Sequence, residues 1–186
     1  MTATIDRHTT GPDGADRLSR SDQGDPHETT RAHSWWALVA FVGVAEAAGL
    51  VGLPFADTSS GSWYAQLEKP GFNPPSWLFG PTWAVLYLAI GVAAWMVWRH
   101  PASRSRTLAL RWWAAQLALN AAWTPVFFGA HAALPALIEI VVTLLVIIAT
   151  TGAFGQVDRR ASQLLLPYLA WVTFAALLNG AIAALN

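Results

Sequence analysis

The chain has 186 residues, 54% hydrophobic and only 12% charged, with a formal net charge of zero. Soluble domains carry roughly a quarter charged residues, so the charge that a water-facing surface needs is missing, and a chain with no basic patch offers no footprint for nucleic acid. Without cysteine, disulfides and thiolate metal sites are excluded.

Residues 1–34 hold Arg7, Arg17, Arg20 and Arg31 and the acids Asp6, Asp13, Asp16, Asp22, Asp25 and Glu28, with almost nothing apolar between them. Such a segment buries too little surface to offset the entropy of ordering, which predicts a disordered tail. It is too acidic for an organelle transit peptide and lacks the short basic start of a secretory signal. From residue 35 onward, apolar stretches at about 35–54, 79–98, 107–127, 132–154 and 163–185 each approach the roughly 17–25 residues that cross a bilayer. A soluble bundle would show polar stripes on its outer helices, whereas here only isolated polar residues interrupt each stretch. The expected fold is therefore all-α, a five-transmembrane-helix bundle forming one membrane domain over 35–186.

Basic residues set the expected orientation. Arginines fill the tail, the second loop (Arg99, Arg104, Arg106, with Arg111 just inside the next span) and the fourth loop (Arg159, Arg160), while the other side carries only Lys69. By the positive-inside rule the N-terminus is cytoplasmic, and the first loop and the C-terminus lie outside.

The first span contains Glu46 among small residues, and the fourth contains Glu139 on one face with Thr143 and Thr150. An intramembrane carboxyl is a functional hypothesis by default, but neither span offers a basic partner, so both acids are expected to be protonated, hydrogen-bonded structural groups. Between the first two spans lies "EKPGFNPPSWLFG". Proline fixes φ and pushes the preceding residue to extended conformations, so this segment is stiff before folding and can lie across a bundle mouth at small entropic cost. Trp63, Tyr64, Phe72, Trp77 and Phe79 would give it an apolar underside, as a lid; the alternative is a tight connector anchored at the interface by its aromatics.

Of the eleven tryptophans, Trp35, Trp36, Trp95, Trp98, Trp112 and Trp113 fall near span ends, where indoles prefer the headgroup region. Trp83, Trp123 and Trp171 lie deeper, and each brings an N–H that needs a partner. Helical spacing places Trp83, Tyr87 and Gly91 on one face of the second span, Gln116, Asn120 and Thr124 on one face of the third, and Trp171, Ala175 and Leu178 on one face of the fifth. Amides at that depth face protein or a cavity, acting either as interhelical glue or as pocket wall. The opposite face of the third span repeats Ala114, Ala118 and Ala122, a small-residue surface suited to helix packing within the bundle or in a homodimer. His131, in the third loop, is either a metal or haem ligand or a plain loop residue.

The segments "WYAQLEKPGFNPPSWLFGPTWAVLYLAIGVAAW", "QLALNAAWTPVFFG" and "LLLPYLAWVTFAALLN" occur in this order and resemble the first-loop/helix-2, helix-3 and helix-5 motifs of the tryptophan-rich sensory protein and translocator protein (TspO/MBR) family. The resemblance covers roughly 35–186. It implies a five-helix bundle, a homodimer, and a ligand cavity under the first loop that takes protoporphyrin IX, haem or related tetrapyrroles, with no obligatory cofactor. Mitochondrial relatives bind cholesterol and benzodiazepine-type drugs. Carried over by matching position, Trp83 falls at the "GPxW" tryptophan and Trp171 at the "PYxxW" tryptophan, the pair implicated in porphyrin binding and breakdown. Asn120 and Trp123 match "NxxW", Ala175 the small position one turn after the helix-5 tryptophan, and Tyr64, Pro74, Phe79 and Tyr87 other cavity-lining positions. Thr124 stands where serine is usual, the acidic tail is extra, and the basic segment that follows the fifth helix in animal members is not found.

The resemblance implies a receptor or sensor for tetrapyrroles in a bacterial plasma membrane. Two alternatives stand beside it. One is a transporter of porphyrins or other hydrophobic metabolites, although no inverted repeat is visible. The other is light- and oxygen-dependent porphyrin breakdown with Trp83 and Trp171 as redox partners, although no acid–base dyad or activated nucleophile is apparent.

Overall fold

In the computed structural model the described residues are 26–186, with side chains described from residue 35; among them the chain is all-helical, without a strand. The helices are α1 (Pro26–Leu50), α2 (Trp63–Gln66), α3 (Phe79–Trp98), α4 (Arg104–Thr124), α5 (Ala133–Gly155), α6 (Arg159–Leu164) and α7 (Leu166–Leu185). The helical bundle is the unit Ala37–Asn186. The expected disordered tail lies outside the described residues, except that α1 begins at Pro26 rather than near residue 35.

Each boundary has a local cause. Ser103 caps α4, its side chain accepting from the Arg106 N–H at 3.1 Å. The expected third span runs on to residue 127, but α-helix ends at Thr124. Pro125 cannot supply the backbone N–H for the next turn, and residues Pro125–Gly129 form a wider π-helical turn instead. Asp158 caps α6 through Oδ1, which accepts from the N–H groups of Arg160 (2.8 Å) and Ala161 (3.3 Å). The expected fifth span, 163–185, lies within one spanning stretch, Arg159–Leu185, which has a turn near its start. A turn at Leu165 separates α6 from α7, and Pro167 sits in the first turn of α7, where its missing N–H costs nothing.

The bundle turns an apolar surface outward. Buried positions include Gln116, Asn120, Thr143, Thr150 and Asn179, while Val85, Leu134, Ile138, Leu145 and Leu177 point outward, all more than 60% exposed. The buried core is otherwise apolar, so the interior and the exterior are alike in polarity, which is stable only where the surroundings are hydrocarbon. Among the described residues, three helical stretches are long and apolar enough to span it: Ser76–Trp98, Ala133–Gly155 and Arg159–Leu185; Trp35–Leu50 is a shorter apolar helix. Helix α4 falls outside this set because Arg111, Gln116 and Asn120 lower its hydropathy even where Arg104 and Arg106 are left aside. The chain is an integral, multi-pass membrane protein.

Close approach between α1 and α3 depends on Gly91. A Cβ added there would stand 2.5 Å from the Cα of Val42, inside backbone that cannot yield. On the arginine-rich side, Arg106 donates to the carbonyls of Trp98 (3.2 Å) and His100 (2.7 Å), placing a cation on the C-terminal end of α3. Trp113 departs from the expected interfacial ring: it is buried, with Phe41 edge-on at 5.3 Å.

Candidate functional site

A cavity of about 290 Å³ opens among α1, α3, α4 and α7, beneath the first loop. Its walls include Tyr64, Phe79, Trp83, Tyr87, Asn120, Trp123, Trp171 and Ala175. The remaining expected residue, Pro74, is not part of the wall; its carbonyl instead accepts from the Asn73 side-chain amide at 3.1 Å. Residues the sequence reading did not assign to a pocket also line it, among them Glu46, Gly52, Phe128 and Asn179. For Phe128 the available signal was Pro125, since the wide turn that follows swings both phenylalanines of "PVFFG" towards the loop.

The aromatic walls are locked by one another. Trp83 stacks on Tyr87 with centroids 5.4 Å apart, and Tyr168 meets Trp83 edge-on at 6.3 Å. Trp171 stands edge-on to Phe79 at 6.0 Å, and Trp123 lies nearly parallel to Phe127 at 5.0 Å. Each such pair adds about 0.5–1.5 kcal/mol beyond area burial and restricts the rings to one geometry.

The polar stripe does both jobs left open by its spacing. Tyr87 donates to the Asn120 side-chain oxygen, the Asn120 amide donates to the Tyr168 hydroxyl (2.8 Å), and Tyr168 donates to Gln116 (2.7 Å). Gln116 is thus interhelical glue, tying α4 to α7, while Asn120 joins α3, α4 and α7 and also faces the cavity. The Trp123 indole N–H donates to Asn179 at 3.2 Å, and the Asn179 amide donates to the Ala133 carbonyl at 2.9 Å. The Trp171 indole nitrogen is different: it is buried and has no partner among the described residues.

The two intramembrane acids also separate. Glu139 meets the structural expectation in part, since one of its oxygens accepts from Thr143 at 2.8 Å. Glu46 does not, because no hydrogen bond joins it to the described residues and it lies in the cavity wall. Asp57, in the loop beyond α1, has its carboxyl held below the ordinary range by bonds from Ser59.

The first loop covers the mouth through several contacts. In α2, Tyr64 packs on Phe127 and Phe128, and its hydroxyl donates to Asn73 at 3.0 Å. Burial raises the Tyr64 phenol above its usual range, with the Asn73 bond pulling the other way. Phe72 meets Phe174 of α7 edge-on at 6.3 Å. Pro75 is extended (ψ 138°), with φ held at −57° by its ring. The Glu68 N–H donates to the Asn186 side chain (2.9 Å), whose amide returns a bond to the Glu68 carbonyl (3.0 Å). Trp77 corrects the expected apolar underside, for it is 73% exposed. His131, at φ 54°, stacks on Trp63 with centroids 4.8 Å apart. The alanine face of α4 is exposed, and Ala114 and Ala118 line a shallow groove with Val44, Ala47 and Ala48 of α1 and Val51 just beyond it.

Residues 40–185 match the TspO/MBR family. The chain is 39% identical to the translocator protein of Ovis aries over 150 residues, covering 80% of this chain and 89% of that protein. It is 39% identical to the tryptophan-rich protein TspO of Archaeoglobus fulgidus over 149 residues (80% and 96% covered) and 41% identical to the tryptophan-rich sensory protein of Cereibacter sphaeroides over 144 residues (77% and 88%). A helical bundle with an apolar exterior, whose aromatic cavity lies under a proline-rich loop, matched over nearly the whole length of these relatives, places the chain in the TspO/MBR family.

Proposed function

We propose that this protein is a membrane receptor for a tetrapyrrole of the protoporphyrin IX or haem type, held in the cavity beneath the first loop. The observation that carries the reading is the wall itself: Trp83, Trp123, Trp171 and Phe79 surround one apolar space. A flat aromatic macrocycle gains from stacking on such rings, and a few polar groups orient it. At about 290 Å³ the space sits at the small end of ligand pockets, roughly 300–1,000 Å³, so a macrocycle enters only as the loop lifts. In this reading five helices cross a bacterial plasma membrane, the N-terminus is cytoplasmic, the loop and C-terminus lie outside, and the exposed alanine face of α4 is where two copies pair. Transport or light-driven breakdown of the pigment would use the same cavity.

The test is a quenching titration of tryptophan fluorescence with protoporphyrin IX. Trp83→Ala and Trp171→Ala are each expected to weaken binding by about fivefold or more, the loss of one or two aromatic contacts. Unchanged affinity in both variants would remove the cavity from consideration. Flux into vesicles, and loss of the pigment in light against darkness, distinguish a receptor from a transporter and a degrading enzyme.

A further inference from the structure

Among the described residues, Glu46 is the only carboxylic acid or base that lines the cavity. It sits on α1 one turn before Leu50, beyond the mouth, and lies near enough to Tyr87 for the two to interact electrostatically. Tyr87 nevertheless does not serve it. The donors of the adjacent network run away from Glu46, from Tyr87 to Asn120, from Asn120 to Tyr168 and from Tyr168 to Gln116. A carboxyl facing an apolar space at membrane depth needs a cation or an N–H donor, and the protein has none directed at it among the described residues. Glu139 shows the alternative within the same chain, an acid partnered by Thr143 and away from the cavity.

We propose that Glu46 is the anchor of the ligand site and selects a flat apolar molecule that presents a basic or N–H-bearing nitrogen to the inner end of the cavity. This rests on the cavity being the ligand site, as proposed above. A carboxyl and an amine share one proton whichever of them holds it, so the pair carries no net charge, and the attraction between the partners offsets the cost of desolvating them. A ligand carboxylate at the same place meets an acid with no base nearby to offset it. Negatively charged substituents are therefore confined to the mouth, where Lys69 lies over the Tyr64 ring at 4.8 Å.

The experiment uses the full chain in discs of zwitterionic lipid, with empty discs as the partition control. Three probes share one ring and differ only in the polar group: pyrenemethylamine, pyrenemethanol and pyrenecarboxylate. The amine is expected to bind about tenfold tighter than the alcohol, and the carboxylate weakest of the three. In Glu46→Gln the amine loses its preference over the alcohol; in Glu139→Gln the order is kept. Equal binding of the three probes by the unaltered protein, or an amine preference that survives in Glu46→Gln, overturns the proposal. If protoporphyrin IX still quenches in those cases, only the anchor fails. If neither protoporphyrin IX nor any pyrene quenches, the cavity reading fails with it.

Discussion

Asn120 shows how much one side chain can hold. Its oxygen takes the Tyr87 proton and its amide supplies Tyr168, so removing it leaves two buried hydroxyls short of a partner. Within membranes such bonds average well under 1 kcal/mol each and reach about 1.7, so Asn120→Ala should destabilise the bundle by about 1–2 kcal/mol. Thermal unfolding in mild detergent measures this, and a transition unmoved by the substitution would show that the network is decorative. Gly91 makes the opposite demand, for absence rather than presence. A side chain there meets the backbone of Val42, and Gly91→Leu is expected to prise α1 from α3 and cost several kcal/mol, on the order of an overpacked core. Both effects were half legible in the sequence. Four-residue spacing put Gly91 with Trp83 and Tyr87, and Asn120 with Gln116, but spacing names a face and leaves open what stands opposite.

At the scale of the element, the short helix α6 depends on its cap. Asp158 binds two backbone N–H groups through one oxygen and His100 through the other at 3.2 Å, linking α6 to the residue just beyond α3. Burial pushes this carboxyl upward, but the bond from His100 and those from the backbone outweigh it, so it lies below the ordinary range. A carboxyl depressed on folding stabilises the fold above its unfolded value, and that stability fades as pH falls through the folded value. Asp158→Ala should lower stability by about 1 kcal/mol near neutral pH, with the gap from the parent protein closing under acid. Unfolding curves recorded from neutral pH downward would show a constant gap if the cap contributes nothing. Element boundaries were the least legible part of the chain. The apolar run continues through Pro125 and across Leu165, and hydropathy does not register a missing N–H; the backbone hydrogen-bond ladder does.

At the scale of the molecule, the loop, the cavity and the last residue form one arrangement. Asn186 clasps the backbone of Glu68 from both sides, while Tyr64 and Phe72 rest on Phe128 and Phe174. If a ligand enters by lifting the loop, Asn186→Ala should speed both entry and release of protoporphyrin IX by a few-fold, since about two hydrogen bonds at an exposed edge are lost. Stopped-flow quenching reads this directly; unchanged rates would mean that ligand passes between helices instead. Orientation is testable because the chain lacks cysteine. Gly71→Cys, in open space on the loop, is expected to react with an impermeant maleimide added outside cells, and Ala102→Cys, on the arginine-rich side, only after the membrane is broken.

That this chain lives in hydrocarbon follows from its residues alone, because a deficit of charge and long apolar runs are properties of composition that no folding can undo. Their order also sets which faces carry aromatics, amides and small residues, since those follow from the period of a helix. Which of these faces meet around an empty space, and which polar groups are already satisfied, emerges from the packing of the helices. Glu46 and Glu139 look alike in sequence, each an acid in an apolar span, yet one accepts from Thr143 and the other stands in a cavity wall. The difference is one of rotation about the helix axis relative to neighbours far away in sequence, and a side chain's partners are settled by packing in three dimensions, not by the residues on either side of it.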